Sequence, residues 1–97
     1  MPYMITFDLD TKKLEEVYPG KNYTDAYDDI RDYLTKNGFT HQQGSSYFGE
    51  DVNAATCVKI ALRLQKKHKW LVPCASDIRM LRIEEDNDLL SVMKELE

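Results

Sequence analysis

The first residues with a capacity for chemistry are two aspartates that end an apolar run near the amino terminus. In the string Phe7-Asp8-Leu9-Asp10, Asp8 stands where a predicted strand gives way to a loop, and sheet proteins often carry functional side chains at such positions. If two copies of the chain pair sheet against sheet, two Asp8 carboxylates approach each other and can bind a divalent metal ion or share a proton. The plainer interpretation is that Asp8 only caps the loop, and the spacing by itself favours it.

The spacing of Asp8 and Asp10 is also found at the start of phosphatases in which the first aspartate is phosphorylated and the second acts as acid or base. Those enzymes need a far larger α/β scaffold with further lysine and acidic motifs, for which 97 residues leave no room. The pattern therefore carries little weight as a phosphatase signal.

A second candidate site is the Gly44-Ser45-Ser46 segment, which can present hydroxyl and backbone N–H groups to a phosphate. It lacks the GxxxxGK[ST] pattern of a phosphate-binding loop, and turn chemistry explains Ser45 equally well. His41 and His68 have no ligand spacing, so we expect surface or packed residues. His41 keeps an alternative role as a proton shuttle because it precedes the Gly-Ser turn.

The charge of the chain limits how it can meet nucleic acid. Its 13 lysines and arginines against 17 acidic residues give a net charge of −4, whereas binding long nucleic acid needs surplus cations on some face. Any contact with RNA is therefore expected to be local. One basic segment partly offsets the net negative charge, although such a run is usually a solvated helix face. It contains Lys59, Arg63, Lys66, Lys67, His68 and Lys69.

The amino terminus and the cysteines indicate the compartment. The apolar run ends at Asp8 with no basic lead, which is too short for a signal-peptide core or a membrane span. Cys57 and Cys74 lack CxxC spacing and sufficient neighbouring histidines for a zinc site, which favours reduced thiols. We expect a cytoplasmic protein with no membrane segment.

The first third of the chain predicts a strand and a helix. Residues 3–8 alternate in a strand pattern with apolar side chains on both faces. The charged residues 10–21 predict a long loop with one helical turn over residues 12–17. Asn22 is the expected cap of the next helix, and Gly38 is expected to end it as a left-handed residue.

The middle of the chain predicts a hairpin and a second helix. Residues 39–43 and 46–48 are two extended segments around the Gly44-Ser45 turn. A helix capped by Asp51 or Asn53 follows and should end near Lys69. Its predicted inner stripe consists of Ala54, Cys57, Val58, Ala61, Leu62 and Gln65.

The last part predicts a strand and a tail. Residues 77–83 read as a strand whose two faces both look covered. Residues 86–96 suit a short amphipathic helix capped by Asp86 or Asn87.

The resulting order, βαββαβ with a carboxy-terminal extension, predicts one α+β domain over residues 1–97 with a ferredoxin-like sandwich. Helices would cover one sheet face. The other face would expose Met4, Thr6 and either Met80 or Leu81, which favours a homodimer that packs on it.

Several strings taken together resemble the virulence-associated protein D family. They are Phe7-Asp8-Leu9, Ala26-Tyr27-Asp28-Asp29-Ile30-Arg31, Gly38-Phe39, Gln43-Gly44-Ser45 and Asp77-Ile78-Arg79. The resemblance spans residues 3 to about 85. It implies a ferredoxin-like homodimer with endoribonuclease activity, related in fold to the small nuclease-like subunit of CRISPR adaptation complexes, and often acting as a toxin beside a small antitoxin.

The resemblance also implies site residues. Asp8 corresponds to the main functional aspartate of the family, and Ser45 and Asp77 follow by position. One hypothesis is then a ribonuclease in which the Asp8 pair, assisted by Asp77, anchors a metal ion such as Mg²⁺ or activates water, while Ser45 holds the phosphate. The alternative is a non-catalytic module that binds protein or nucleic acid, with Asp8 structural.

Overall fold

A computed structural model describes residues 2–97, which form one antiparallel sheet of four strands and five helices. The strands lie in the order β2-β3-β1-β4, and every neighbouring pair is antiparallel. This confirms the predicted α+β class and is consistent with a ferredoxin-like sandwich. The elements are β1 (Tyr3–Leu9), α1 (Thr11–Val17), α2 (Asp25–Lys36), β2 (Thr40–Gln43), β3 (Ser46–Gly49), α3 (Ala54–Lys67), α4 (Leu71–Cys74), β4 (Ala75–Arg82) and α5 (Leu89–Glu95).

The segment after β1 corrects the first expectation. The helical turn predicted over residues 12–17 is present and is longer than expected, since the chain forms the seven-residue helix α1 there. Asp10 starts it by accepting hydrogen bonds from the backbone N–H groups of Lys12 and Lys13 at 3.0 and 3.2 Å. Leu14 anchors it, since its side chain is fully buried. A single apolar anchor among charged residues leaves almost no periodic signal in the sequence.

The ends of α2 are partly as predicted. The expected cap, Asn22, lies too early, because its side chain accepts from the backbone and hydroxyl of Thr24 in a turn before the helix. The helix itself starts at Asp25. Gly38 has a φ of +90° just after the helix, which confirms its predicted left-handed role.

The core lies between one face of the sheet and helices α2 and α3. From the sheet it takes Ile5, Phe7 and Leu9 of β1, whose alternation points them all to the same side. The hairpin is confirmed, with a φ of +48° at Gly44 and the Tyr47 ring of β3 stacked on Phe7 at 6.0 Å. The helices contribute Ala26, Ile30, Leu34, Cys57, Ile60 and Leu64.

The buried face of α3 differs from the predicted stripe. Asn53 caps the helix, as one of the two expected residues, by accepting from the Thr56 backbone at 2.8 Å. The side chains that enter the core are Cys57, Ile60 and Leu64, whereas Val58 and Leu62 of the predicted stripe are 45% and 56% exposed. Helix α3 is rotated relative to the prediction, so a second apolar stripe faces outward.

Strand β4 is an outer strand, and its apolar side chains are only partly covered. Ile78, Met80 and Leu81 are all 40% or more exposed, so residues 2–97 do not themselves supply the predicted cover for both faces. The register settles which residue joins Met4 on the open sheet face, because Leu81 pairs with Met4 while Met80 pairs with Ile5 of the core face. The open face therefore carries Met4 and Leu81.

The carboxy-terminal extension is a helix, as predicted, although its cap is Asp88 instead of Asp86 or Asn87. Its apolar residues are 54–84% exposed and contribute nothing to the core; they are Leu89, Leu90, Val92, Met93 and Leu96. No helix within residues 2–97 combines the length and apolar character that crossing a membrane requires.

A hydrogen bond ties the end of α1 to α2. The Tyr18 hydroxyl donates to the Asp29 carboxylate at 2.6 Å, and the Tyr18 ring packs edge-on against Trp70. This hydrogen bond, followed by burial and the Asp29 charge, raises the pKa of Tyr18 from 10.0 to about 12. Folding thus favours the protonated phenol, so the contribution is complete below the ordinary pKa and is lost as the pH rises through the raised one.

We expect Tyr18→Phe to lower the free energy of unfolding by about 1 kcal/mol at neutral pH, because one side-chain hydrogen bond is removed. Urea denaturation measures this difference, which should shrink as the pH rises towards that raised pKa. Tyr3→Phe is the matched control, since the Tyr3 hydroxyl makes no hydrogen bond within residues 2–97. A Tyr18→Phe cost that stays constant with pH would contradict the assignment.

Candidate functional site

The candidate site is built where β1 ends and β4 begins. Asp8 and Asp77 are direct cross-strand partners in the antiparallel β1–β4 pair, and such partners carry their side chains on the same face, with Cβ atoms about 5 Å apart. The register shifts immediately after Asp8, an irregularity that is over-represented next to active sites. The fold therefore brings together two of the three predicted site residues.

The Asp8 carboxylate differs from that of its neighbour Asp10. Asp10 is the cap of α1, so its side chain has a structural role. Asp8 is exposed, and its carboxylate accepts no hydrogen bond from any of residues 2–97. The capping interpretation thus describes Asp10, while Asp8 keeps a free carboxylate at the strand end.

Asp77 is held by a cation on its own strand. The Arg79 Nε donates to both Asp77 carboxylate oxygens, at 3.1 and 3.0 Å. Arg79 is two residues further along β4, so both side chains lie on the same face. Ser76 adds a link between the strands, because its hydroxyl donates to the Asp8 carbonyl oxygen at 3.1 Å. The sequence analysis missed Arg79 and Ser76 as part of this site.

Ser45, the third predicted residue, lies on the other side of β1. Its carbonyl oxygen accepts from the Phe7 backbone N–H at 3.1 Å, which places the β2–β3 turn against β1 one residue before Asp8. Within residues 2–97 the Ser45 hydroxyl bonds to neither Asp8 nor Asp77. Ser45 is thus next to the Asp8 end of β1, on the side away from Asp77, and its hydroxyl bonds to neither aspartate.

Tyr27 is a further neighbour of Asp8, and it was not predicted from the sequence as part of the site. It lies in the first turn of α2 and is half-buried. Burial, and after it the negative charge of Asp8, raises the pKa of Tyr27. The protonated phenol is therefore close enough to Asp8 to be affected by its charge. In the sequence, only the family string over residues 26–31 drew attention to Tyr27.

The other candidates have structural partners. The His41 ring stacks on Tyr47 at 4.8 Å, and its Nε2 is 2.7 Å from the Gly44 carbonyl oxygen, so it braces the hairpin. The Cys57 and Cys74 thiols are buried, which raises the pKa of each. Across residues 2–97, no group of three or more His, Cys, Asp or Glu side chains is arranged to hold a metal ion.

Arg31, in the most recognisable string of the sequence, bonds to neither of the two aspartates within residues 2–97. It forms an ion pair with Asp28 on the exposed side of α2. Exposed pairs at this separation contribute about 0.2 to 0.5 kcal/mol.

We therefore expect Arg31→Ala to leave RNA cleavage within about twofold of wild type and to change stability by less than about 0.5 kcal/mol. Cleavage assays and thermal melts on the same preparation test both parts. If the variant lost cleavage with its melting temperature and oligomeric state unchanged, Arg31 would belong to the site.

Comparison with known proteins identifies the family. The family model described as CRISPR associated protein Cas2 matches residues 1–89. Endoribonuclease VapD 2 of Riemerella anatipestifer is 48% identical over 89 residues, 91% of this chain and 95% of the relative. The endoribonuclease VapD homolog of Helicobacter pylori is 45% identical over 93 residues, 95% and 96% of the two chains. With such matches along nearly its whole length, the chain belongs to the family of VapD endoribonucleases within the wider Cas2 group.

Proposed function

We propose that this protein is an endoribonuclease whose site is centred on Asp8 at the interface of a homodimer. The observation that carries the proposal is the free, exposed Asp8 carboxylate directly opposite Asp77. The endoribonuclease names of the relatives support the same activity. The test is cleavage of an end-labelled RNA by the purified protein, with loss of the products in the Asp8→Asn variant.

The two aspartates are suited to different tasks. Arg79 compensates the charge of Asp77, so Asp8 is the carboxylate free to take a proton from an attacking water. As the water oxygen bonds to phosphorus, the bond from phosphorus to the leaving ribose oxygen breaks, and that oxygen takes a proton from solvent water. Arg79 lies on the same face, where a guanidinium can stabilise the charge that builds up on the phosphate.

Ser45 and its turn are proposed to hold the phosphate. The turn is fixed against β1 by the hydrogen bond from the Phe7 N–H to the Ser45 carbonyl. The Ser45 hydroxyl is free within residues 2–97, so it can donate to a phosphate oxygen. Ser45→Ala should therefore weaken RNA binding more than it slows the bond-breaking step.

A divalent metal ion fits the donor set. Mg²⁺ is usually held by one or two carboxylates together with waters and substrate phosphate, and Asp8 with Asp77 supply two carboxylates on one face. When bound there, the ion would lower the pKa of a coordinated water and screen the phosphate charge. Two further carboxylates become available if a second copy packs against this end of the sheet.

The homodimer is proposed from the exposed apolar residues of the sheet. Met4 and Leu81 lie side by side on the open face, and Ile78 and Met80 are incompletely covered on the other. Exposed apolar surface of this kind marks interaction sites. A symmetric pairing of the open faces would bring the two Asp8 residues towards each other.

We expect light scattering at micromolar concentration to give the mass of two chains, near 23 kDa from 11.3 kDa each. The interface should bury about 1,600 Å² in total, the usual size for a stable complex. If the protein were monomeric at that concentration, both the homodimer and the site shared between its subunits would be ruled out.

The cellular role is proposed from the family resemblance. The protein would act on RNA in the cytoplasm as a toxin, held inactive by a small antitoxin protein. Growth arrest on expression of the wild-type chain, but not of Asp8→Asn, would support the toxin role. Rescue of growth by the product of an adjacent small gene would identify the antitoxin.

A non-catalytic binding module is the second candidate, and the net charge of −4 favours it, since extended RNA contacts require positive charge. If the protein bound RNA and the RNA were recovered intact, with or without Mg²⁺, the binding module would be the correct assignment.

A further inference from the structure

The positive charge of the chain is concentrated in one segment. Residues 52–76, which include α3, contain five of the 13 lysines and arginines and none of the 17 acidic residues. All other residues together contain eight basic side chains against 17 acidic ones, a net charge of −9. The overall charge of −4 therefore conceals a local surplus of five cations, which is what binding to phosphates requires.

Three of these cations form a stripe along α3. Lys59, Arg63 and Lys66 are exposed and lie four and three residues apart, which places them on one face of the helix over about 10 Å. None of them forms an ion pair within residues 2–97. Lys67 points elsewhere, since its Nζ is 5.7 Å from the centre of the Tyr33 ring on α2. Like charges at this spacing destabilise a helix, so an anion from outside the chain is the partner that they suit.

The surface beside the stripe is concave and partly apolar. A shallow depression of about 580 Å³ is bordered by the stripe together with Leu62, Gln65 and Lys69, and Leu62 is 56% exposed. A second depression of about 460 Å³ shares Lys66 and Lys69 with the first and continues towards the end of α1. Cations along a rim with apolar side chains on the floor suit single-stranded RNA, whose unstacked bases can pack on the floor while the phosphates meet the rim.

The carboxyl end of α3 lies at the same end of the sheet as Asp8. The chain passes from α3 through the short helix α4 into β4, whose first residue, Ala75, pairs with Leu9 of β1. The Asp10 backbone N–H donates to the Cys74 carbonyl oxygen at 2.8 Å. The trough formed by the two depressions therefore leads to the end of the sheet that carries the candidate site.

The length of chain between the trough and the site limits their separation. From Lys69 to Asp77 the backbone spans at most about 22 Å, because part of it is the helical turn of α4. At about 3.4 Å per phosphate in a stacked strand, this distance corresponds to about six or seven nucleotides. Asp8 alternates with Phe7 and Leu9 of the core, so its carboxylate lies on the open sheet face. A bound strand would pass around this end of the sheet to reach it.

We propose that the stripe of Lys59, Arg63 and Lys66 binds the phosphates of single-stranded RNA and guides the strand to Asp8. The binding surface is argued from the charge and shape of α3, while its role as a substrate track rests on the proposed ribonuclease function. The trough lies on the helix side of the sheet, so a second copy packed on the open face leaves it uncovered.

RNA binding tests the stripe without cleavage. In the Asp8→Asn background, fluorescence anisotropy measures the dissociation constant for a labelled RNA of about 20 nucleotides, long enough to cover trough and site. The stripe variant, with Lys59→Gln, Arg63→Gln and Lys66→Gln, should bind at least about tenfold more weakly at 0.1 M salt. The slope of log Kd against log salt should fall by about 2, because each phosphate contact on a single strand contributes about 0.7.

A control variant removes the same residue types and the same charge elsewhere. Lys21→Gln, Arg31→Gln and Lys36→Gln change exposed side chains on α2 and the loop before it. Glutamine has nearly the helix propensity of lysine and arginine, so both triple variants should fold, which thermal melts check. The control should bind RNA within about twofold of the parent chain. Equal weakening in both variants would indicate an effect of overall charge and overturn the proposal.

Cleavage by chains that retain Asp8 tests the track. On the RNA of about 20 nucleotides, the stripe substitutions should raise KM at least about tenfold and leave kcat within about twofold, because the lost contacts are remote from the reacting phosphate. An RNA of about five nucleotides is too short to reach from Asp8 to the stripe, so the stripe variant and wild type should cleave it equally. A loss of kcat on this short RNA would place the stripe in the cleavage site and overturn the track.

The outcomes separate the track from the ribonuclease. If wild-type protein cleaves no RNA but the stripe substitutions weaken RNA binding, the binding surface stands and the proposed ribonuclease fails. If the protein cleaves RNA and the stripe variant binds it as tightly as the parent chain does, the ribonuclease stands and the track is overturned. An acidic protein partner would then be the ligand for the stripe.

Discussion

Asp8→Asn should lower the rate of RNA cleavage by about 10²-fold or more without unfolding the protein, since removing a proton-transferring or metal-binding carboxylate typically costs this much. Asparagine keeps the shape of the side chain and its capacity for hydrogen bonding but lacks the charge. Because the Asp8 carboxylate accepts no hydrogen bond from residues 2–97, the fold loses no contact. Single-turnover cleavage of an end-labelled RNA and a thermal melt measure the two effects.

Asp10→Asn is the matched control two residues away. Asp10 caps α1 through the backbone N–H groups of Lys12 and Lys13, and asparagine caps a helix about as well as aspartate. The control should therefore keep both stability and cleavage within about twofold of wild type. If Asp8→Asn, folded and dimeric, cleaved RNA at the wild-type rate, the catalytic assignment would be wrong, and Ser45 would become the first alternative.

A chelator separates two versions of the Asp8 site. If the carboxylates act through Mg²⁺, EDTA should reduce wild-type cleavage to the level of Asp8→Asn, and added Mg²⁺ should restore it. If Asp8 acts as a base without a metal ion, cleavage should persist in EDTA.

Sequence periodicity predicted most of the elements but not the faces that they bury. In α3, the buried residues Cys57, Ile60 and Leu64 and the exposed residues Val58 and Leu62 both recur at helical spacing. An apolar stripe indicates burial, yet it does not specify whether the covering surface belongs to the same chain. The predicted stripe is partly wrong because α3 carries apolar residues on its outward face as well as on its buried one.

The site was predictable only in part, because some of its residues are far apart in the sequence. Asp8 could be found from the strand that it ends, because that signal is local. Its pairing with Asp77 joins residues that are far apart in the sequence, so no local pattern specifies it, and only the family resemblance suggested it. The Asp77–Arg79 pair had a local signal, since residues two apart on a strand share a face, but that signal identifies a site only when the strand is known to border one.

Leu81→Asp should convert the dimer to monomers and, with it, remove RNA cleavage. Leu81 lies beside Met4 on the open sheet face, and a carboxylate placed there would be buried against its own symmetry mate without a partner. Burying an unpaired charge costs several kcal/mol, enough to raise the dissociation constant by at least about 10²-fold. The molar mass from light scattering and the rate of RNA cleavage should therefore fall together. Val72→Asp is the control, because Val72 is more exposed than Leu81 but lies on α4.

Mixed dimers decide whether the site needs both copies of Asp8. Wild-type chains are titrated with an excess of tagged Asp8→Asn chains, so that nearly every wild-type subunit has a variant partner. If each subunit holds a complete site, the activity per wild-type chain stays constant during the titration. If the two Asp8 carboxylates form a single site across the interface, the activity falls towards that of Asp8→Asn. We expect the fall, because in the Asp8–Asp77 pair of one chain Arg79 engages Asp77 and leaves Asp8 as the free carboxylate, and a constant activity would confine the chemistry to the single chain.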